Sequence, residues 1–435
     1  MTPTPRPARK LPFRTIAAFI GIFLVLYAAA FAIAVAVNVY RLGDPVPAGP
    51  VPNWLALAAT TAGLYLMHVR NRTAARSQSM GSVARSGAFL HAATLLFALL
   101  IWRELPSVTV ALAWAALGLA LFELSVPTGS AMLRQQSHLL MVAVFARLFM
   151  ANFITPGEAF GISHRLISVV PVIVTLYYLR ARMLELLPEA KPEPSTLFRI
   201  RERAFGASLY AWAAAILLVV LARFEVGSAY TVAVWAPIFV VFLVLGLAWD
   251  NRDFRFQSYL LAVLLFARSW TTNAYLEGSL FGIPERIVTA LPVVVAFLFA
   301  VIRTPRRAEG PAPVAAQRVV RFLQFFDSHA RPAFSILFSL LVALLIFYQL
   351  PIDLVSIGWA VEALSLFVLG FTIKERSLRL SGLALLLVCL FKVTFLDLRG
   401  VETIYRIFSF IVLGIILLLI SLGYSRYRRL LDKYL

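Results

Sequence analysis

The sequence FARLFMANF, residues 145–153, lies inside a long apolar run and yet contains an arginine and an asparagine, Arg147 and Asn152. A similar sequence returns 121 residues later as FARSWTTNA (266–274), and an altered form follows as FKVTFLDLR (391–399). A cation in the middle of an apolar segment is costly to place in a membrane. A cation repeated three times in this setting therefore predicts a specific structure around it.

The composition identifies the setting. The chain has 435 residues, of which 61% are hydrophobic and 14% are charged, whereas soluble domains contain about 25% charged residues. The sequence therefore predicts an all-α integral membrane protein, because a helix satisfies its own backbone groups in lipid. Runs of spanning length predict about 14 transmembrane helices. They cover residues 13–38, 53–69, 87–103, 107–125, 132–151, 164–184, 205–222, 228–248, 256–275, 285–303, 333–349, 352–372, 379–396 and 403–424.

The charge predicts the orientation. The net charge is +19, and placing the N-terminus in the cytoplasm puts most of the 40 lysines and arginines on the cytoplasmic side, as the positive-inside rule requires. With an even number of spans, both termini are cytoplasmic. We expect the basic face to contact anionic lipids of the bilayer and not nucleic acid. Cys389 is the only cysteine, which excludes disulfides and cysteine-based metal sites, and we expect neither a metal nor a cofactor.

Fixed spacings predict three parallel repeats of four helices each. In each repeat a tryptophan precedes an arginine by 20 residues, a cation follows after 13 more, an asparagine or aspartate after another five, and a further arginine comes later. The first two positions are Trp114 with Arg134, Trp235 with Arg255, and Trp359 with Arg379. Matches at so many fixed offsets indicate triplication. The predicted segments are a helix pair with its loops (1–86), repeat 1 (87–185), a basic linker (186–204), repeat 2 (205–303), a basic linker (304–332), repeat 3 (333–427) and a basic tail (428–435).

The repeated polar residues form the candidate site. They are Arg147, Asn152 and Arg165 in repeat 1, Arg268, Asn273 and Arg286 in repeat 2, and Lys392, Asp397 and Arg406 in repeat 3. Helix geometry places them in the outer half of each repeat. One interpretation is that the cations bind carbonyl groups of neighbouring helices and hold the structure together. The other is that they bind an anionic ligand, converging on one cavity if the repeats form a ring.

Glu362 adds a further intramembrane charge in the third repeat, where the first two have Leu117 and Ile238. Glu362 could pair with Lys392, and Asp397 with Arg406 or Arg399, as buried ion pairs. Alternatively Glu362, Lys392 and Asp397 form a proton or charge relay.

The C-terminal segment 392–429 resembles the signature of a large bacterial family of multi-pass membrane proteins, domain of unknown function 2339. The positions that carry the resemblance are Lys392, Asp397, Tyr405, Arg406, Ser409, Phe410, Gly414 and Tyr424. The resemblance implies a polytopic protein of the bacterial inner membrane without an assigned reaction.

No catalytic motif is present in the sequence, and we predict no catalytic residues. The first hypothesis is a non-enzymatic structural or accessory subunit of the cell envelope that binds other membrane proteins. The alternative is a transporter or flippase for an anionic envelope molecule, with the arginines as charge clamps. A membrane-embedded transferase is a lesser alternative, since the loop 41–53 offers Asp44 as its one carboxylate.

Overall fold

The computed structural model describes residues 80–186, 197–305, 318–352 and 354–395, together with single positions between 61 and 66 and between 407 and 422. The predicted span 13–38 and most of the spans 53–69 and 403–424 lie outside the described residues, as do Asp397 and Arg406. The chain divides into two compact units between Leu100 and Ile101. In the first unit, Tyr65 and Thr94 share a hydrogen bond of 3.0 Å between their hydroxyl groups.

The described chain is a series of long helices joined by short turns. The helices are α1 (Met80–Glu104), α2 (Ser107–Thr128), α3 (Ala131–Arg147), α4 (His164–Leu186), α5 (Leu197–Ala248), α6 (Arg252–Thr271), α7 (Glu285–Arg303), α8 (Arg318–Gln349), α9 (Val355–Thr372) and α10 (Arg376–Phe395). A π-helical turn, Leu148–Asn152, extends α3, and a 3₁₀ turn, Asn273–Tyr275, follows α6. Each span predicted between residues 87 and 396 overlaps with a helix or part of one, although α1, α5 and α8 begin 7, 8 and 15 residues before the predicted starts at 87, 205 and 333.

Two small β-hairpins interrupt the helices. Strand β1 (Glu158–Ala159) pairs with β2 (Ile162–Ser163) between α3 and α4, and β3 (Ser279–Leu280) pairs with β4 (Ile283–Pro284) between α6 and α7. Both pairs are antiparallel and end directly before the next helix. The prediction of an all-α protein holds for the apolar segments, and the hairpins occupy loops between them.

Helix α5 is a pair of antiparallel arms. Its 52 residues are interrupted at Gly227, which has φ 80° and ψ 179°. The indole nitrogen of Trp235 donates to the carbonyl oxygen of Val219, 16 residues earlier, over 2.9 Å. In one straight helix these residues would be about 24 Å apart. The chain therefore reverses at Gly227, which allows the positive φ, and the two arms correspond to the predicted spans 205–222 and 228–248.

Six helical segments among the described residues are long and apolar enough to cross a membrane. They are 107–128, 164–185, 205–248, 285–303, 325–349 and 355–372. The segment 205–248 contains both arms of α5 and is long enough to cross twice, since a spanning helix needs about 20 residues. Many large apolar side chains on these helices are exposed, for example Val174, Val241 and Val295. Such side chains suit a lipid environment, and the protein is a multi-pass membrane protein.

Packing within the second unit follows the order of the chain. Helix α4 packs on α5, α5 packs on α6 and α7, and α7 packs on α8. Aromatic rings fill the contact between α5, α7 and α8. The ring of Phe239 in α5 packs edge-on against the rings of Phe297 in α7 and Phe334 in α8. The segment predicted as repeat 1 therefore contacts repeat 2 through α4 and α5, and repeat 2 contacts repeat 3 through α7 and α8.

Ion pairs link the helices at one end of this stack. Arg255 of α6 is 4% exposed, and its guanidinium contacts Asp327 of α8 at 3.1 Å and Asp250 at 2.7 Å. The Tyr259 hydroxyl donates to the same Asp327 carboxylate over 2.8 Å. Gly246 makes room for this arrangement, because a Cβ there would lie 2.7 Å from the backbone nitrogen of Arg255. We call this the ion-pair end of the bundle.

Candidate functional site

The opposite end of the bundle holds the repeated cations, and we call it the clamp end. Arg147 occupies the last turn of α3, where the helix dipole favours a cation. Its Nη2 atom donates to the carbonyl oxygen of Ser107 at 3.4 Å and to the Ser107 hydroxyl at 3.1 Å. Asn152 is 2% exposed, and its amide donates to the Val108 carbonyl over 2.9 Å. Both side chains therefore tie the end of α3 to the beginning of α2.

The second clamp has the same geometry. Arg268, in the last turn of α6, donates from Nη2 to the Ser228 carbonyl over 2.7 Å. Asn273 is 1% exposed and donates to the Ala229 carbonyl over 2.7 Å. The acceptor lies 40 residues before the arginine and 44 residues before the asparagine, as in the first clamp. The end of α6 is thus tied to the beginning of the second arm of α5.

The third clamp uses lysine. Lys392 of α10 is 8% exposed, and its ammonium group donates to the Ile352 carbonyl, again 40 residues earlier, over 3.2 Å. A second hydrogen bond of 2.9 Å runs from the same ammonium group to the Ser356 hydroxyl. These contacts tie α10 to the beginning of α9.

In the two arginine clamps the inner polar atoms are closed to a ligand, whereas the Nη2 contacts to Ser107 and Ser228 are exposed. The Nε atoms of Arg147 and Arg268 and the Oδ1 atoms of Asn152 and Asn273 have no hydrogen-bond partner among the described residues, and all four atoms are buried. An incoming anion cannot reach buried Nε atoms without displacing the surrounding side chains. Each clamp offsets part of the free-energy cost of an intramembrane cation, because the cation donates hydrogen bonds to neutral oxygens. Hydrogen bonds of this kind, with one charged partner, are worth about 1.5–3 kcal/mol each.

The remaining predicted arginines connect neighbouring groups of helices. Arg165 donates from Nε to the Phe153 carbonyl over 2.9 Å, and its guanidinium lies 5.1 Å from the centre of the Phe224 ring in α5. Arg286 of α7 donates to the Tyr348 carbonyl at the end of α8 over 2.6 Å. Both arginines therefore fasten one group of helices to the next.

A row of polar contacts joins the clamps along this end. The Ser163 hydroxyl of the first hairpin donates to Glu225 of α5 over 2.7 Å. The Tyr230 hydroxyl then donates to Glu285 beside the second hairpin over 3.1 Å. The Arg286–Tyr348 bond continues the row to the turn before α9. Each of Arg147, Arg268 and Lys392 is bound to the start of the preceding helix in its own predicted repeat.

The predicted ion pair between Glu362 and Lys392 does not form. Glu362 is 6% exposed, and neither of its carboxylate oxygens has a hydrogen-bond partner among the described residues. Lys392 instead contacts Ser356, six residues before Glu362 in α9, which is about 9 Å along the helix axis. The sequence predicted both charges within membrane-spanning helices, and the structure puts them at different depths along α9.

Glu362 lies at a groove between α8 and α9. The groove has a volume of about 450 Å³ and is lined almost entirely by apolar side chains, including Phe338, Ile346 and Leu366, with Ser365 as its other polar side chain. Within the proposed relay, no hydrogen bond joins Glu362 to Lys392 among the described residues. The third member, Asp397, lies outside the described residues.

Sequence reasoning missed the partners of the cations. The carbonyl groups of Ser107, Ser228 and Ile352 accept the hydrogen bonds, and a backbone acceptor leaves no trace in residue type. One signal was available, because a serine stands 40 residues before both arginines. The hairpin turns carried a signal as well, since FGI recurs in the first two repeats.

Comparison with known proteins gives one match. Residues 286–427 match the model of the family described as predicted membrane protein, domain of unknown function 2339. The match covers the C-terminal part of the chain, from α7 onward, and confirms the resemblance inferred from residues 392–429. No curated protein and no solved structure matches the chain.

Proposed function

We propose that this protein is a non-enzymatic structural or accessory component of the bacterial cell envelope, in which the intramembrane cations hold helices together. One observation carries the proposal. Arg147, Arg268 and Lys392 each donate to the carbonyl group 40 residues earlier, at the beginning of the preceding helix. A group that binds a transported anion would instead present its donors to a cavity.

The energies favour this role. Three intramembrane cations would cost on the order of 8–10 kcal/mol on insertion scales if they were unpaired. Each hydrogen bond from a charged group to a carbonyl or hydroxyl oxygen offsets about 1.5–3 kcal/mol. Among the described residues, Arg147 and Lys392 make two such bonds each, and Arg268 makes one. The clamps thereby offset much of the cost, with the cations in the favourable last turn of their helices.

The proposed architecture is an N-terminal helix pair followed by three parallel four-helix repeats, with about 14 transmembrane helices. The equal spacing of the two arginine clamps and the matching bond of the lysine clamp support the repeats. The tryptophans agree, because Trp235 and Trp359 both donate to a carbonyl group 16 residues earlier over 2.9 Å. The contacts from α4 to α5 and from α7 to α8 favour a row of repeats over a ring.

We further propose that both termini face the cytoplasm and that the clamp end faces outward from the inner membrane. The excess of lysine and arginine in the other loops supports this orientation. The basic cytoplasmic face would contact anionic lipids. The apolar side chains that the described helices expose are available to other membrane proteins, which are the partners that an accessory subunit requires.

Native mass spectrometry of the protein extracted with its own lipids tests the proposal. The comparison is between the wild type and the double variant Arg147→Gln, Arg268→Gln, with thermal unfolding of both in the same detergent. We expect the double variant to unfold at a lower temperature and the wild type to carry no stoichiometric anionic ligand other than bulk lipid. A specific anion that is lost from a variant of unchanged stability would refute the structural role.

A second candidate function, a transporter or flippase, is favoured by Glu362 alone. Its unpartnered carboxylate in the α8–α9 groove suits a proton-binding residue in a membrane protein. A hydrophobic carbodiimide, which modifies protonated carboxyl groups in apolar surroundings, tests this role. Modification of Glu362 that decreases as the pH rises, and that is absent from Glu362→Gln, would support a proton site. An unmodified Glu362 at every pH would exclude it.

A further inference from the structure

The two β-hairpins share an unusual turn. In the first hairpin Phe160 and Gly161 have φ values of 57° and 76°, and in the second Phe281 and Gly282 have 53° and 79°. Two central residues with positive φ define a type I′ turn, which prefers asparagine, aspartate or glycine at the first position. The register is the same in both hairpins, with Ala159 opposite Ile162 and Leu280 opposite Ile283.

Phenylalanine at this position is costly in two ways. A bulky residue at positive φ is a backbone outlier and costs about 1–3 kcal/mol. Phe160 and Phe281 are also 102% and 95% exposed, so the rings gain nothing from packing within the chain. The same costly residue stands in both hairpins, which indicates that the ring has a partner outside the fold.

The hairpins lie at the level where the membrane meets water. Strand β2 ends one residue before α4, and β4 ends one residue before α7, and both helices contain a candidate membrane span. A two-residue strand is about 7 Å long, which is close to the thickness of about 5–8 Å of the polar layer on each side of a bilayer. The hairpin tips therefore lie within reach of that layer.

The surface around the tips is apolar. Ile162 and Ile283, which follow the turns, are both 49% exposed, and Trp270 at the end of α6 is 45% exposed. Aromatic side chains collect at this level in membrane proteins. The charged residues within five positions of the tips have both signs: Glu158 and Arg165 at the first hairpin, and Glu277, Glu285 and Arg286 at the second. The acids equal or outnumber the arginines, so attraction to anionic lipid headgroups does not explain the exposed rings.

We propose that Phe160 and Phe281 insert into the polar–apolar boundary of the bilayer leaflet at the clamp end. The two hairpins are then lipid anchors that set the depth of α4 and α7 in the membrane. The ligand is the lipid interface itself, entered by apolar side chains and independent of headgroup charge. This inference concerns anchoring alone and is independent of the structural role proposed for the clamps.

Fluorescence quenching in nanodiscs tests the anchors. In a Cys389→Ser background, single cysteines replace Phe160 or Phe281 and are labelled with an environment-sensitive fluorophore. Glu104, the exposed last residue of α1, gives the control position. We expect lipids brominated near the carbonyl level to quench the probes at 160 and 281 at least about twofold more strongly than the probe at 104. Nanodiscs of zwitterionic and of anionic lipid should give the same result.

Probes at 160 and 281 that aqueous iodide quenches as strongly as the probe at 104, with no added effect of brominated lipid, would overturn the proposal. The rings would then face water and a protein partner. Quenching in anionic nanodiscs alone would overturn it too, because the anchor would then depend on charge. The two hairpins are independent tests. If a Phe160 or Phe281 variant fails to fold, a labelled Ile162→Cys or Ile283→Cys variant, respectively, replaces it.

Discussion

The indole nitrogen of Trp235 lies 2.9 Å from the carbonyl oxygen of Val219, on the opposite arm of α5. Trp359 of α9 makes the same bond to Ala343 of α8. Each bond joins two consecutive antiparallel helices within about two turns of the reversal between them, and each clamp fixes the beginning of the second of these helices. The second arm of α5 and α9 are therefore each held twice: the tryptophan bonds the helix to the one before it, and the clamp bonds its beginning to the end of the helix after it.

The first prediction concerns these tryptophans. Trp235→Phe and Trp359→Phe each remove one hydrogen bond to a carbonyl group of the preceding helix. We expect each to lower the free energy of unfolding by about 0.5–1.5 kcal/mol, measured by thermal or denaturant unfolding in detergent. Trp249→Phe is the control, because Trp249 is 65% exposed, and it should have little effect. Equal losses in all three variants would show that the hydrogen bonds do not matter.

Lysine should replace arginine in a clamp. Arg147→Lys keeps a cation that can reach a carbonyl group, as Lys392 does in the third clamp, whereas Arg147→Gln removes the charge. We expect the glutamine variant to lose about 2 kcal/mol of stability and the lysine variant less than half of that. Thermal unfolding of both variants provides the measurement. A lysine variant as unstable as the glutamine variant would contradict the clamp mechanism.

The buried asparagines should not tolerate aspartate. In Asn273→Asp a carboxylate oxygen faces the Ala229 carbonyl, where the amide now donates over 2.7 Å. Asn273→Ala removes the bond alone. We expect alanine to cost about 1–2 kcal/mol and aspartate more, because a buried acceptor then faces a second acceptor. The order of the two unfolding temperatures decides the matter, and aspartate equal to wild type would refute it.

Gly246 should not accept a side chain. The Cβ of Gly246→Ala would lie 2.7 Å from the Arg255 backbone nitrogen, and backbone cannot move as a flexible side chain can. Overpacking of this kind costs about 1–3 kcal/mol. No atom of the described residues lies within 4 Å of the Cβ position of Gly414, so Gly414→Ala is the control and should be neutral or stabilising. Comparable unfolding temperatures for the two variants would contradict the close packing.

Arg255 and Asp327 should be energetically coupled. Removing one member of a buried ion pair leaves an uncompensated charge and costs about 3–5 kcal/mol. We expect Arg255→Met and Asp327→Met each to be strongly destabilising and the double variant to be much less destabilised than their sum. A double-mutant cycle from unfolding data measures this coupling. Additive effects would mean that the pair, although 3.1 Å apart, contributes no interaction energy.

Much of the architecture could be predicted from the sequence, because apolar run length decides where a helix crosses a membrane. The predicted span 285–303 and α7 have the same bounds. Fixed offsets also led to Arg147, Arg268 and Lys392 as members of one structural class. The chain reversal near Gly227 was predicted from the two adjacent apolar runs 205–222 and 228–248. The non-helical backbone of Gly227 itself was not predicted.

The rest depended on information that residue types do not carry. The acceptors of the clamps are carbonyl groups, which every residue has. The pairing of Glu362 with Lys392 was wrong because opposite charges in neighbouring helices meet only when their depths match. The turns at Phe160 and Phe281 were missed because the turn type normally requires asparagine or glycine. The prediction for Asp397 and Arg406 remains a prediction.

The position of the clamp acceptors has a consequence for biosynthesis. In all three clamps the acceptor comes 40 residues before the cation, so the ribosome makes it first. When the helix that carries the cation reaches the membrane, the carbonyl group that binds it has already been made. Each intramembrane cation can therefore form this hydrogen bond on arrival, with chain already synthesised, and insertion need not wait for any later part of the protein.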